Sequence, residues 1–147
     1  MRTLFELEQA IDAVKVDDDP VVAAEELLSI GEEVLENWIV AKDGVPTDET
    51  REGFRLLALH RQGTKNDPSF NACRETCREL AYYFNLITLD PDATATTNRT
   101  AMMKMISNHL YLFISGKLQV AQLGDFCCSA KPIRMADQDN TQELEGV

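Results

Sequence analysis

The sequence predicts an all-α fold, an up-and-down bundle of four main helices with an additional N-terminal helix and a C-terminal segment packed across it. Apolar residues recur every three or four positions, as on one face of a helix. Prolines and glycines fall at intervals of helical length, where they start and stop helices. No comparable alternation indicates strands. Segments of about 16 to 23 residues with short connections favour antiparallel neighbouring helices.

Aspartate–proline pairs and glycines set the expected helix boundaries. Aspartate caps a helix N-terminus and proline is well tolerated at the next position, whereas glycine closes a helix. The predicted starts are Asp19-Pro20, Pro46, Asp67-Pro68 and Asp90-Pro91, and the predicted stops are Gly44, Gly63 and Gly116. The helices are therefore expected at 3–16, 20–42, 47–62, 68–88 and 96–115.

Apolar stripes within these segments predict the core. Gly31 lies on the stripe of the second helix and predicts a close helix crossing there, since glycine costs about 1 kcal/mol relative to alanine in a helix interior. Cys73 and Cys77 continue the stripe between Phe70 and Leu80 on the fourth helix. The fifth helix carries two adjacent rows, Met103, Ile106, Leu110 and Phe113, and Met102, Met105, His109 and Leu112. A stripe this wide predicts a central helix or one that also meets a partner.

Length and composition predict one helical domain over residues 1–135, followed by an acidic, mobile tail at 136–147. The chain has 147 residues and a net charge of −11, and residues 1–50 contribute 14 acidic against 3 basic side chains. We interpret this asymmetry as packing between helices whose charged rims compensate. The alternative is an acidic face that steers a basic partner. Nucleic acid is disfavoured as a partner because the sequence shows no concentrated basic footprint.

No segment predicts a membrane or secretory role. The longest purely apolar run, Leu110–Ile114, is far shorter than the roughly 20 residues that span a bilayer. The first twelve residues acquire acidic side chains early and lack a secretory apolar core. We therefore expect a soluble cytoplasmic protein without membrane contact.

The four cysteines do not have the spacing of a zinc finger. Cys73 and Cys77 fit the apolar register of the fourth helix, so we expect them in the core, where free cysteine behaves as a small hydrophobe. No periodicity fixes Cys127 and Cys128. Nearby Lys131 and Arg134 could lower a thiol pKa there, and these two cysteines are candidate reactive thiols.

Catalytic and metal motifs are absent from the sequence. A carboxylate-bridged metal site in a bundle needs Glu-x-x-His, but Leu57 and Ile106 stand three residues before His60 and His109. There is neither a nucleophile elbow nor a phosphate-binding glycine loop. We therefore expect no metal, no cofactor and no catalytic residue, and the surroundings of His60 do not match a phosphotransfer domain.

Several side chains are candidates for binding. His60 and Arg61 are either a ligand site or a cation pair at a helix C-terminus. His109, with Met105 and Tyr83, could line a pocket between helices, although a structural histidine explains the same pattern. Flexible methionines suit adaptable partner surfaces. The candidates for partner contact are Met102, Met103 and Tyr111, and the alternative places the fifth helix in the middle of the bundle.

These observations predict a non-enzymatic helical module that binds a protein partner or a second copy of itself. It is favoured by the missing catalytic motifs, the charge asymmetry and the wide apolar face of the fifth helix. The alternative is a small-molecule-binding or catalytic bundle with its pocket near His109 and Tyr83 or near His60 and Arg61.

Overall fold

A computed structural model of the protein describes residues 1–121, which fold as five packed α-helices. They are α1 (Leu4–Ala13), α2 (Pro20–Ala41), α3 (Arg55–Asn66), α4 (Arg74–Leu89) and α5 (Thr96–Val120), with a 3₁₀ helix at Pro68–Cys73 before α4. The described part contains no strand, only an isolated bridge between Arg51 and Phe54. The predicted all-α class is confirmed, and the predicted tail at 136–147 lies outside the described residues.

The helix starts at Thr3 and Asp19 follow from capping. The Thr3 hydroxyl accepts from the Glu6 amide at 3.2 Å, and the Glu6 carboxylate accepts from the Thr3 amide at 2.9 Å, a reciprocal capping box. Asp19 accepts from the amides of Val21 and Val22 at 3.0 and 3.2 Å. The predicted Asp19-Pro20 start is confirmed.

The predicted start of the third helix at Pro46 is wrong. Residues 47–54 are not helical, and α3 begins at Arg55. Glu52 and Gly53 have φ values of 53° and 86°, and Arg51 and Phe54 exchange backbone hydrogen bonds of 2.9 and 3.0 Å. Two successive positive φ values are incompatible with a right-handed helix, so this tight turn delays the helix.

Two predicted helix stops are also wrong. Gly63 lies inside α3 and Gly116 inside α5, because glycine costs a helix interior only about 1 kcal/mol and does not by itself end a helix. Asp90-Pro91 begins a turn, and α5 starts at Thr96, where the predicted helix 96–115 begins. Near the predicted stop at Gly44, α2 ends at Ala41, and the residue with a left-handed backbone conformation is Asp43, with φ 64°.

Helix α2 is the structural centre, because it packs against α1, α3, α4 and α5. At Gly31 an added Cβ would lie 3.1 Å from a Leu80 methyl, 3.3 Å from Leu56 and 3.7 Å from Leu110. Three helices therefore approach this glycine, which confirms the predicted close crossing. None of the helices in residues 1–121 is both long and apolar enough to cross a membrane.

An aromatic cluster around Phe70 ties the 3₁₀ segment to the rest of the core. The Phe70 ring stacks on Trp38 with centroids 5.6 Å apart and meets Phe113 edge-on at 6.2 Å. It also lies against Gly63, where an added Cβ would come within 2.5 Å of the ring. The glycine is therefore required by the close approach of this ring.

Cations from other segments neutralise the acidic face of α2. Arg2 contacts Glu33 at 2.8 Å and Glu26 at 3.1 Å, and Arg55 contacts Glu36. The Arg55 guanidinium also lies 3.5 Å from Glu32. Helices from the acidic first third thus pack against compensating cations, as the charge pattern predicts.

We predict opposite effects of two glycine-to-alanine changes inside helices. Gly63→Ala forces the methyl group into the Phe70 ring and should lower the free energy of unfolding by about 1–3 kcal/mol, the usual cost of overpacking. Gly116→Ala, whose Cβ meets nothing within 4 Å, should raise it by up to about 1 kcal/mol. Urea unfolding followed by circular dichroism measures both. A gain at Gly63 would contradict the packing described here.

Candidate functional site

The structure separates the two predicted histidine sites. His60 is 7% exposed, and its Nε2 lies 3.1 Å from the Phe70 carbonyl oxygen. Since a carbonyl only accepts, Nε2 is the donor. Neighbouring Arg61 is exposed and shares a cavity with His60. The interpretation of this pair as the end of a helix is wrong, because α3 continues to Asn66.

The second predicted pocket is the one lined by His109, Met105 and Tyr83. His109 and Met105 are exposed on α5, whereas Tyr83 is half-buried on α4. The Tyr83 ring lies edge-on to Tyr82, with centroids 5.4 Å apart. His109 therefore belongs to an exposed helix face.

The predicted partner surface needs correction at two of its three residues. Met103 is fully buried and Tyr111 is 8% exposed, because their row of α5 faces the core. The adjacent row is open: Met102, Met105 and Leu112 are 39%, 46% and 55% exposed. The apolar surface of α5 is thus the row that contains Met102.

Cys73 and Cys77 are buried side chains of the core, as the apolar register predicts. A hydrogen bond from Cys77 lowers the pKa of the Cys73 thiol to about 6, against the effect of burial. That hydrogen bond and burial raise the pKa of Cys77. The Cys73 Sγ also lies 3.2 Å from the Phe70 carbonyl oxygen, to which the protonated thiol donates. The candidate thiols Cys127 and Cys128 lie outside the described residues.

A basic cleft lies between α3, α4 and the turn that precedes α3. Its smaller hollow, of about 260 Å³, contains the guanidinium-bearing residues of three segments. The hollow is lined by Arg51, Leu57, His60, Arg61, Thr64, Asn71, Arg74 and Arg78. Arg74 and Arg78 stand one helical turn apart on α4 and face Arg61 of α3 across this space. Four arginine residues thus line one small cavity.

A larger hollow of about 520 Å³ adjoins the first and shares Arg51 and Arg61 with it. It is lined by Thr47, Glu49, Thr50, Arg51, Ala58, Arg61, Gln62 and Lys65. Gln62 holds the neighbouring segment in place: its amide accepts from Thr47 at 2.9 Å and donates to the Val45 carbonyl at 2.7 Å. We refer to the two hollows together as the arginine cleft.

Most cations of the arginine cleft have no carboxylate partner, as is also true of Lys15, Lys42, Arg99 and Lys104 elsewhere in residues 1–121. Five of the twelve Lys and Arg residues in 1–121 line the cleft. Arg2 and Arg55 are each bound by glutamates of α2. By contrast, Arg51, Arg61 and Arg74 form no ion pair with any carboxylate in that part of the chain. Unpaired like charges repel one another, so the cleft favours an anion.

Glu52 supplies one internal carboxylate at the edge of the cleft. Arg78 donates to both Glu52 oxygens, at 3.0 and 3.1 Å. These bonds, together with the charges of Arg78 and Arg74, lower the pKa of the Glu52 carboxyl below its usual value. Because both side chains are largely exposed, solvent screens the pair and its contribution to stability is small.

The turn at Glu52-Gly53 positions the Arg51 and Glu52 side chains at the edge of the cleft. Its paired backbone bonds and positive φ values fix Arg51 and Glu52 on the same short loop. The Phe54 ring anchors the loop by meeting Phe84 edge-on at 5.8 Å. The loop therefore contributes one cation to the cleft and one carboxylate that occupies Arg78.

The sequence predicts only two of the residues that line this site, His60 and Arg61. The other cations are spread over residues 51–78 in different elements, so they form no concentrated basic footprint in the sequence, but in the folded residues 1–121 four arginines line one hollow. The i, i+4 spacing of Arg74 and Arg78 was the available signal, since it places both on one helix face.

Neither a search for metal-binding side chains nor comparison with known proteins indicates another site in residues 1–121. Within residues 1–121, no group of three His, Cys, Asp or Glu side chains is arranged to hold a metal ion. Comparisons with protein-family models, with curated proteins and with solved structures give no match for this chain. The candidate function therefore depends on the geometry of the cleft itself.

We predict that the two histidines differ in their effect on stability. His60→Leu removes one of two donors to the buried Phe70 carbonyl, the other being the Cys73 thiol, and should lower the free energy of unfolding by about 0.5–1.5 kcal/mol, the usual net contribution of one hydrogen bond. His109→Leu, on the exposed face, should change it by less than about 0.5 kcal/mol. Denaturant unfolding of both variants provides the measurement. Equal effects would argue against a structural role for His60.

Proposed function

We propose that this protein is a non-enzymatic binding module. In this proposal the arginine cleft binds the phosphate group of a ligand. One observation carries this proposal: Arg51, Arg61 and Arg74 border the same hollow and have no carboxylate partner in residues 1–121. Guanidinium groups are planar donors that match phosphate oxygens and bind them in bidentate fashion.

Phosphate fits this donor set better than a carboxylate does. A carboxylate has two oxygens and is satisfied by one arginine fork, as Glu52 is by Arg78. A phosphate monoester offers three acceptor oxygens and up to two negative charges, so it can engage several guanidinium groups together. The Asn71 side chain, which also lines this hollow, adds a neutral hydrogen-bond donor.

Binding, rather than catalysis, is favoured by the chemistry of the lining groups. Arginine stays protonated at physiological pH and does not exchange protons with a substrate. The His60 Nε2 is engaged by the Phe70 carbonyl, which leaves that nitrogen without a catalytic role. The cleft therefore suits the holding of an anion.

We also propose an up-and-down order for the bundle of α2 to α5, with α1 across it, and a cytoplasmic location. The packing of α2 on α3, α4 and α5, and of α1 on α2 and α5, supports this arrangement. The free thiols of Cys73 and Cys77 suit a reducing compartment.

A second candidate function is association of two copies through the exposed row of α5. Met102, Met105 and Leu112 are spaced to form one continuous face with His109. Such a face can pair with its own copy about a twofold axis. This candidate retains the self-binding role that the sequence predicts, with Met103 and Tyr111 excluded by burial.

We predict that loss of one cleft arginine weakens phosphate binding by roughly tenfold, because a charge-assisted hydrogen bond contributes about 1.5–3 kcal/mol. The variant is Arg74→Gln, titrated with inorganic phosphate and followed by chemical shifts of backbone amides and of arginine Nε–H groups. Binding by the unchanged protein should also weaken as sodium chloride is raised, because salt screens exposed charges.

Two further variants make this test specific. Arg99→Gln on α5 is the matched control, because Arg99 does not line the cleft, and it should leave phosphate affinity unchanged. Glu52→Gln should raise the affinity several-fold by releasing Arg78 from its internal carboxylate. Equal affinities for all three variants, or no shift changes in the unchanged protein, would overturn the proposal.

Self-association predicts a concentration-dependent mass that depends on Leu112. Leu112→Gln removes an exposed leucine from the row, and full burial of such a side chain is favourable by about 1.5–3 kcal/mol. The dimer dissociation constant should therefore rise at least tenfold. Light scattering over a concentration series measures it, with Leu89→Gln, another exposed leucine, as the control. A monomeric mass at all concentrations would exclude this second function.

A further inference from the structure

The two hollows of the arginine cleft are divided by a pair of shared arginines. Arg51 and Arg61 line both hollows. On α3, Ala58, Gln62 and Lys65 border the larger hollow, whereas Leu57, His60 and Thr64 border the smaller one. Arg61 therefore stands on the ridge between the two spaces.

The guanidinium groups of Arg51 and Arg61 can each donate hydrogen bonds to an anion on both sides of this ridge. Each guanidinium has five N–H donors in a plane, more than one phosphate oxygen pair can use. Arg74 and Arg78 add charge only to the smaller hollow, and Lys65 adds charge only to the larger one. Each hollow thus has its own cation in addition to the shared pair.

The space between these cations is large enough for the scaffold of a small molecule. The volumes of about 260 and 520 Å³ lie near and within the range of roughly 300–1,000 Å³ that is usual for small-molecule sites. The larger hollow also has the neutral side chains of Thr47, Thr50 and Ala58, and one carboxylate, Glu49. An uncharged carbon scaffold suits the neutral side chains, and the three cations Arg51, Arg61 and Lys65 outnumber Glu49 in this hollow.

We infer that the arginine cleft binds a small organic bisphosphate, with one phosphate group in each hollow and both groups sharing Arg51 and Arg61. This inference rests on the proposed function of the cleft as a phosphate site. Joining two phosphates on one scaffold makes the second contact intramolecular, and this raises affinity without any new type of contact.

The test compares two sugar phosphates that differ by one phosphate group. Fructose 1,6-bisphosphate and fructose 6-phosphate are titrated into the full chain by calorimetry, and the bisphosphate should bind at least about tenfold more tightly. Lys65→Gln should weaken bisphosphate binding several-fold and leave the monophosphate unchanged, because Lys65 lines only the larger hollow. Arg74→Gln should weaken both ligands, and Arg99→Gln should weaken neither.

The outcomes separate this inference from the proposed function. Equal binding of the two sugar phosphates would overturn the bisphosphate inference and leave the cleft as a single-phosphate site. Binding of neither ligand, nor of inorganic phosphate, would overturn both proposals. A loss with Lys65→Gln that is equal for both ligands would overturn the assignment of one phosphate to each hollow. Binding of a doubly phosphorylated peptide alone would overturn the small-molecule class.

Discussion

The contact of the Phe70 ring with Gly63 sets the geometry on which the cleft depends. This ring is fully buried, stacks on Trp38 and lies where any side chain at position 63 would collide with it. It fixes the 3₁₀ segment against α3, and α4 follows directly from that segment. The register of α4 against α3 then brings Arg74 to the same hollow as Arg61. The Phe70 carbonyl completes the junction by accepting from His60 at 3.1 Å. A core contact without charge thus positions charged groups at the surface.

The distribution of ion pairs explains how an acidic chain keeps a basic surface. Arg2 and Arg55 contact glutamates of α2, so part of the charge of those glutamates is compensated locally. The arginines of the cleft lie on the turn before α3, on α3 and on α4, and only Arg78 is paired, with Glu52. Long-range repulsion of an anion by the remaining acidic groups is weakened beyond about 8–10 Å at moderate salt. An anion near the cleft therefore experiences mainly the arginines, despite the net charge of −11.

The sequence predicts the helices far better than the site. The stripe through Gly31, the cap at Asp19 and the burial of Cys77 follow from local rules of spacing and hydrogen bonding. The same rules fail at Gly63, because the decisive neighbour, Phe70, belongs to another element. They fail again at Met103, because either of the two apolar rows on α5 could face the core. Which of those two rows is buried depends on where α2 and α4 pack against α5.

The sequence by itself determined that residues 1–121 are all-α, where α2 begins, and that Cys73 and Cys77 are buried. Apolar periodicity and capping depend on residues within a few positions of each other, so they can be read along the chain. The tertiary structure alone decided that Arg51, Arg61 and Arg74 border one cavity. Their charges act through space, and the chain brings them together only after Phe70 has seated against Gly63 and the Glu52-Gly53 turn has returned Arg51 to α3.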